Sequence, residues 1–366
     1  MGLSCGIVGL PNVGKSTLFN TLSNARAQSA NFPFCTIEPN IGVINVPDER
    51  LEKLAELVIP EKVQPNTIEI ADIAGLVRGA SKGEGLGNQF LGHIRSTHAI
   101  IHVVRCFEDD NIVHVDGSVN PVRDKEVIDL ELQFKDLDSV EKKIQKLQKI
   151  SKTGDKEALK ALNFFNSVKQ HLEKGLNVRS LNITDEDQLA YLEETQLLTA
   201  KPVLYVCNVD EASAVNGNHL VKAFKDSVAD ENAEIIIVSA EIEAEIATLE
   251  SYEDRRAFLE ELGLSESGVV RLIQSAYKLL NLITYFTAGK KEVRAWEIEK
   301  GTKAPQAAGV IHSDFEKGFI RAEVIHYEDY IKYGSESACR DAGKIKVEGK
   351  EYVVQDGDVM HFRFNV

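Results

Sequence analysis

An α/β fold, built on a mostly parallel sheet flanked by helices, is predicted by three observations in this 366-residue chain. Short β-branched runs alternate with helix-like stretches, the pattern that yields strands joined by helical crossovers. The first run, Cys5-Gly6-Ile7-Val8, passes directly into Gly9-Leu10-Pro11-Asn12-Val13-Gly14-Lys15-Ser16, which fits G-x-x-x-x-G-K-[ST] without a mismatch. A helix-like stretch, residues 17–27, follows at once. Later strand patterns lie at 41–46, 67–71, 100–104, 203–207 and 235–239, and polar clusters stand at their carboxyl ends, where open α/β sheets bind ligands.

The strand, loop and helix are in the order that a nucleoside-triphosphate cradle requires. Its glycines let successive backbone N–H groups and a helix N-terminus face a phosphate chain, where negative charge is favoured. Asn12, Val13, Gly14, Lys15, Ser16 and Thr17 form the expected phosphate contacts, with Lys15 reaching the β- and γ-phosphates and Ser16 a Mg²⁺ ion. The competing reading, a chance glycine-rich turn, does not account for the flanking strand and helix.

Composition is that of a globular protein, with 43% hydrophobic and 27% charged residues. The longest apolar runs, such as Ile235-Ile236-Ile237-Val238, are strand-sized, so no membrane span is expected. No charged start and cleavage site of a signal peptide is seen at Met1. Cys5, Cys35, Cys106, Cys207 and Cys339 form no C-x-x-C pair, which argues against zinc and against a disulfide framework, and a reducing cytoplasmic location is expected. The net charge of −15 excludes a uniformly basic nucleic-acid-coating surface, and no DNA binding is expected.

Between 129 and 200 the pattern changes. Leu130, Phe134, Leu137, Val140, Ile144 and Leu147, then Leu159, Leu162, Phe165, Val168 and Leu172, recur at spacings of three and four, predicting two long helices joined near Lys152-Thr153-Gly154-Asp155. Residues 141–174 carry nine lysines against four acidic residues. They form either a solvated helical face or a surface for RNA. The strand pattern resumes at 203, so the helices interrupt the first domain. After a helix-like run at 268–282, short strands at 293–298, 344–347, 352–354 and 359–364, with turns at Glu348-Gly349-Lys350 and Asp356-Gly357-Asp358, predict a small β-rich domain in which Trp296 and Tyr352 are core residues. The expected division is 1–128 and 201–281 for the nucleotide domain, 129–200 for the helical insertion and 282–366 for the C-terminal domain.

Neighbouring strand ends refine the chemistry. Asp72-Ile73-Ala74-Gly75 is a D-x-x-G sequence whose acid would organise the Mg²⁺ shell and whose glycine amide would approach the γ-phosphate. Thr36, in Asn31-Phe32-Pro33-Phe34-Cys35-Thr36, would close over the metal. Gly79, Gly83, Gly85 and Gly87 give the segment after Gly75 a low cost of rearrangement. Asn208-Val209-Asp210-Glu211 stands where guanine-specific switch proteins carry N-K-x-D, with glutamate for aspartate and Val209 for lysine. Adenine lacks the N1–H and 2-amino donors that the aspartate accepts, while its N6/N7 edge suits a bidentate Asn, so adenine is expected to compete well. Ser239 and Ala240, in Ser239-Ala240-Glu241, supply a second loop on the base side.

With these motifs the chain resembles the YchF group of Obg-related P-loop proteins, the Obg-like ATPases, over essentially its whole length. The matching residues are Gly9 to Ser16, Asn31 to Thr36, Asp72 to Gly75 with Leu76, Asn208 to Glu211, Ser239 to Glu241, and Ala307-Ala308-Gly309-Val310-Ile311-His312. The resemblance implies a P-loop NTPase domain with a Ras-like mixed, mostly parallel sheet, a helical coiled-coil insertion and a C-terminal TGS domain of the ubiquitin-like β-grasp type. It also implies hydrolysis of ATP in preference to GTP and association with ribosomes or ribosomal subunits. Leu76 replaces the water-orienting glutamine of many small GTPases. His114, in the polar loop after strand 100–104, is one candidate for that task. A K⁺ ion held by Asn12 beside the β/γ bridge is another. Three further readings stay open: a GTPase of the Obg type, an RNA- or protein-binding module in which nucleotide only sets conformation, and a nucleotide kinase, for which no acceptor site or lid is visible.

Overall fold

The structure, a computed structural model, describes residues 3–27, 41–73, 86–249 and 251–365. Thr36 with its loop 31–36, and Gly75 with Leu76, Gly79, Gly83 and Gly85, lie outside the described residues, whereas Gly87 falls in the first turn of a helix. The chain forms two compact units, one of Leu3–Val43 and Glu69–Leu272, the other of Ile44–Ile68 and Ile273–Val366.

The first unit is built on a six-stranded sheet of order β2-β4-β1-β5-β6-β7. Its strands are β1 (Ser4–Val8), β2 (Ile41–Asn45), β4 (Thr67–Asp72), β5 (Ala99–Arg105), β6 (Val203–Asn208) and β7 (Glu234–Val238), with β3 (Lys62–Gln64) in the other sheet. From β4 through β1, β5 and β6 to β7 the neighbouring strands pair in parallel. Every residue of β5 and β6 is buried, as their mostly apolar sequences require of strands covered on both faces, and the buried set includes His102, Arg105 and Asn208. The edge strand β2 instead alternates buried and half-buried residues. Helix α1 (Lys15–Ala27) follows the first loop, so all six expected strands and the first helix of this domain are found.

The helical insertion is longer than its sequence pattern. After α2 (Glu49–Val58) and α3 (Leu86–Ser96), helix α4 runs from Pro121 to Ser151 rather than starting at 129. Asn120 caps it, accepting a hydrogen bond from the Arg123 amide, and Pro121 occupies the first turn, where a missing N–H costs nothing. Gly154 turns the chain at φ 85°, Asp155 caps α5 (Lys156–Glu173), and α6 (Glu186–Thr195) completes the insertion. Its core joins Val140, Ile144 and Leu147 to Phe164, Phe165, Val168 and Leu172. Leu130, Phe134 and Leu159, expected in the same seam, are about half exposed, because the three-and-four spacing also fits the outer face. Helices α7 (His219–Ser227), α8 (Ala240–Ile246), α9 (Tyr252–Glu261) and α10 (Gly268–Leu279) finish the unit's helical cover. Residues 280–282, taken into that last helix by the sequence pattern, instead lead into a strand.

The second unit holds a sheet of order β11-β10-β12-β8-β9-β3, where β8 is Leu282–Ala288, β9 Glu292–Glu299, β10 Phe319–His326, β11 Lys346–Glu348 and β12 Asp358–Phe364. The β8/β9 hairpin leads into helix α11 (Ala304–Ile311), and the last strand, β12, lies parallel beside the first, β8. That arrangement is a β-grasp. Sequence patterning missed β8 and β10, and residues 352–354 form only an isolated bridge from Val353 to Lys303. Trp296 and Tyr352 are half-buried against the domain core. Residues 44–68, which the sequence boundaries left in the nucleotide domain, pack here. Leu51, Leu54 and Val58 of α2 share a core with Phe286, Val293 and Ile325, and β3 pairs in parallel with β9. Among the described residues, no helix is long and apolar enough to cross a membrane.

Candidate nucleotide site

The loop after β1 has the backbone that its sequence demands. Gly14 has φ 96° and Asn12 φ 62°, and asparagine is among the few side chains that tolerate the left-handed region. Gly14 is also spatially required, since a Cβ there would drive into the Asn208 carboxamide. At Gly9 a Cβ would lie 2.5 Å from the Val103 carbonyl of β5. The loop is therefore pressed against two strand ends, which holds its shape.

Lys15 begins α1 and folds back over the loop, its Nζ donating to the Leu10 carbonyl at 2.9 Å. Burial lowers its pKa to about 8, a shift that the nearby Asp72 carboxylate opposes. Burial likewise holds the Asp72 carboxyl above its ordinary range, with Lys15 acting the other way. Oδ1 of Asp72 is buried and meets no hydrogen-bond donor among the described residues. An acceptor left bare at the end of β4, in the same unit as the exposed Ser16 and the ammonium of Lys15, suits a hard cation with oxygen ligands. The residues present thus fit Mg²⁺, with Ser16 and Asp72 as the described residues that would hold it.

Asn208 does something that its motif did not reveal. Its Nδ2 donates to the Val13 carbonyl at 2.9 Å, and its Oδ1 accepts from the Ala240 amide at 2.9 Å. The carboxamide therefore ties the phosphate loop to the 239–241 loop, and it is not free to read the N6/N7 edge of adenine as the sequence reading expected. Ser239 is buried and caps α8, and Val209 is buried with its amide on the Val238 carbonyl. Asp210 caps the next turn through the Ser213 amide, which leaves Glu211 exposed as the carboxylate able to meet a base.

His114 is brought beside the loop, but its nitrogens are occupied. The side chain of Asn12 donates to the Val113 carbonyl at 3.0 Å, so the 107–116 segment touches the phosphate loop one residue before the histidine. His114 itself is buried, with Nε2 2.8 Å from Asp124 Oδ2 and Nδ1 accepting the Asp116 amide at 3.1 Å. In this arrangement neither nitrogen can orient a water molecule, so the expected role requires Nδ1 to be released from Asp116.

Sequence reasoning passed over Arg105. This last residue of β5 is fully buried and donates to the carbonyls of Phe107, Asp109 and Ile112 at 2.9–3.2 Å, with its guanidinium 4.5 Å from the Phe107 ring centroid. It fastens the loop that reaches Asn12. The available signal was an arginine ending an otherwise apolar strand, because a buried guanidinium must find acceptors.

The comparisons agree with this architecture. A family model described as 50S ribosome-binding GTPase (MMR_HSR1) matches residues 4–256, and one described as a protein of unknown function, YchF-GTPase_C (DUF933), matches residues 282–365. The chain is 55% identical to the "Ribosome-binding ATPase YchF" of Bacillus subtilis and 56% identical to that of Haemophilus ducreyi, covering 100% of both chains in each case. The solved structure of the Schizosaccharomyces pombe YchF GTPase superposes with a TM-score of 0.89 at 39% identity, over 99% of this chain and 98% of that one. On matches that span both of its units, the chain belongs to the YchF family of P-loop proteins.

Proposed function

We propose that this chain is a Mg²⁺-dependent P-loop ATPase whose nucleotide state sets its binding to ribosomes or ribosomal subunits in the cytoplasm. The chain is an ATPase by its family, and its full-length bacterial relatives carry that word in their names. The observation that carries the finer reading is the site itself: a cradle with Lys15 in place, and the bare oxygen of Asp72 beside it. Magnesium supplies charge neutralisation at the β- and γ-oxygens when bound. Lys15 binds those oxygens, Ser16 and Asp72 hold the metal, and the loop amides of 12–17 orient the phosphates. Thr36 and Gly75 belong to the same proposal from sequence.

Preference for ATP over GTP rests on Glu211 and Val209, because Asn208 is engaged elsewhere. Glutamate sets its carboxylate one methylene further out than the guanine-reading aspartate, and a buried valine gives no stem to pack beside a base. The Schizosaccharomyces pombe relative is named a GTPase, which keeps GTP as the second reading. His114 acts as the group that takes a proton from the attacking water after its loop releases Nδ1; in the alternative reading Asn12 would hold a potassium ion, which would supply charge neutralisation beside the β/γ bridge. RNA contact by the lysine-rich insertion or the β-grasp domain accompanies ribosome binding.

Competition of ATP and GTP against a fluorescent nucleotide tests the base preference, and tighter GTP would replace ATP as the substrate. Sedimentation with ribosomal particles in ADP and in a non-hydrolysable ATP analogue tests the switch, and equal partition in both would remove it. Turnover in potassium at parity with sodium would remove the cation.

A further inference from the structure

We propose that Asp124 is a positioning residue for hydrolysis, fixing the His114 imidazole in the one tautomer whose Nδ1 can accept a proton from water. The inference rests on the role proposed for His114 and adds a residue from the root of the helical insertion. An amide N–H can only donate, so the Asp116 amide on Nδ1 makes that nitrogen the acceptor and places the imidazole proton on Nε2. The proton then points at Asp124 Oδ2, 2.8 Å away, with the two side chains only 4% and 3% exposed. Arg123 donates to the other oxygen, Oδ1, from Nη2 at 3.0 Å and Nε at 3.3 Å, so the carboxylate cannot rotate away. A charged acid that holds one imidazole nitrogen leaves the other to act as base.

The chemical step balances on these groups. Water gives a proton to Nδ1 while its oxygen bonds to the γ-phosphorus, the bond from that phosphorus to the bridging oxygen breaks, and the electron pair leaves on ADP. The exchange that must come first is small: the Asp116 amide gives up Nδ1 to water, while Asp124 keeps Nε2. Asn12 connects this segment to the phosphate loop through Val113, so the loop that would bind the nucleotide touches the element that carries the histidine. Asp124 itself lies in the first turn of α4.

Asp124→Asn tests the idea with its shape kept. Arg123 is a donor and claims the new carbonyl oxygen, so the amide NH₂ faces Nε2 and the imidazole proton is driven to Nδ1, against the Asp116 N–H. Turnover should fall about 100-fold, the scale of a lost general base, with the dissociation constant for ATP within about twofold of the parent. Long-range ¹H–¹⁵N spectra should show His114 as Nε2–H in the parent and Nδ1–H in Asp124→Asn. Turnover within about threefold of the parent, or an Nδ1–H histidine in the parent, overturns the inference. If Asp124→Asn fails to fold, the parent's tautomer with a non-hydrolysable ATP analogue decides alone. Parental turnover in His114→Ala would instead remove the catalytic role of the histidine. A slow His114→Ala beside a fast Asp124→Asn would remove only the positioning role.

Discussion

Lys15 shows how a single side chain reports on its site. Its Nζ donates to the Leu10 carbonyl, and burial lowers its pKa to about 8. Triphosphate oxygens around the ammonium favour the charged form and raise that value on binding. At pH 8 about half of the free protein has a neutral Lys15, so each nucleotide bound takes up about half a proton, and uptake vanishes below about pH 6.5. Calorimetry in buffers of different ionisation enthalpy measures this directly, and a buffer-independent heat at pH 8 would contradict it. Lys15, Gly14 and Asp72 were legible in the sequence because a phosphate loop is local and its spacing alone fixes its use. The true partners of Asn208 were not legible, since Val13 is 195 positions away and Ala240 32. Only the fold brings three strand ends together, and the Asn208 carboxamide then goes to two unmet backbone groups before any base arrives.

At the scale of elements, the sequence told strands from helices where burial was two-sided or the helical period was long. β5 and β6 read as mostly apolar runs, and α4 with α5 read by their spacing. The β8 and β10 strands escaped because their half-buried faces mix Thr, Tyr, Arg and Glu with apolar residues. The first turns of α4, residues 121–128, escaped because only Val127 and Ile128 there are buried aliphatic side chains, while Asp124 and Lys125 are buried among polar partners; further along, Asp129, Glu131, Gln133 and Asp136 are buried in the same way. Asp136 illustrates their purpose. Its carboxylate accepts from the Leu198 and Thr199 amides and from the Thr199 hydroxyl at 2.7–2.8 Å, clamping the chain where it leaves the insertion to enter β6. Asp136→Ala strands those buried donors and should cost about 3 kcal/mol. Urea unfolding with an unchanged midpoint would show that the clamp is not needed. Four of the nine lysines at 141–174, Lys142, Lys143, Lys160 and Lys169, close ion pairs with acids of the insertion itself, which lessens the basic character that the sequence count alone suggests.

Across the whole molecule, the division into units does not follow the chain. Residues 44–68 lie between β2 and β4 of the nucleotide domain in sequence, yet they complete the β-grasp unit. Leu51, Leu54 and Val58 are buried against Phe286, Val293, Ala295 and Ile325, β3 extends the sheet at β9, and Arg50 pairs with Asp356 at 2.9 Å. The sequence boundary at 282 followed the change in strand pattern and could not register a segment borrowed from the first half. A chain ended at residue 281 consequently keeps a correct phosphate loop but exposes one face of α2. Re-exposing three buried aliphatic side chains, at roughly 2 kcal/mol each, removes about 6 kcal/mol of favourable burial and leaves a contiguous apolar patch. Residues 1–281 should therefore aggregate or melt well below the full chain, and changing Leu51, Leu54 and Val58 together to Gln or Ser in that truncated chain should recover solubility. The same triple change in the full chain should lower its melting temperature. A truncated chain that stays monomeric and melts with the full-length protein would show that the borrowed segment has no structural dependence on the C-terminal sheet.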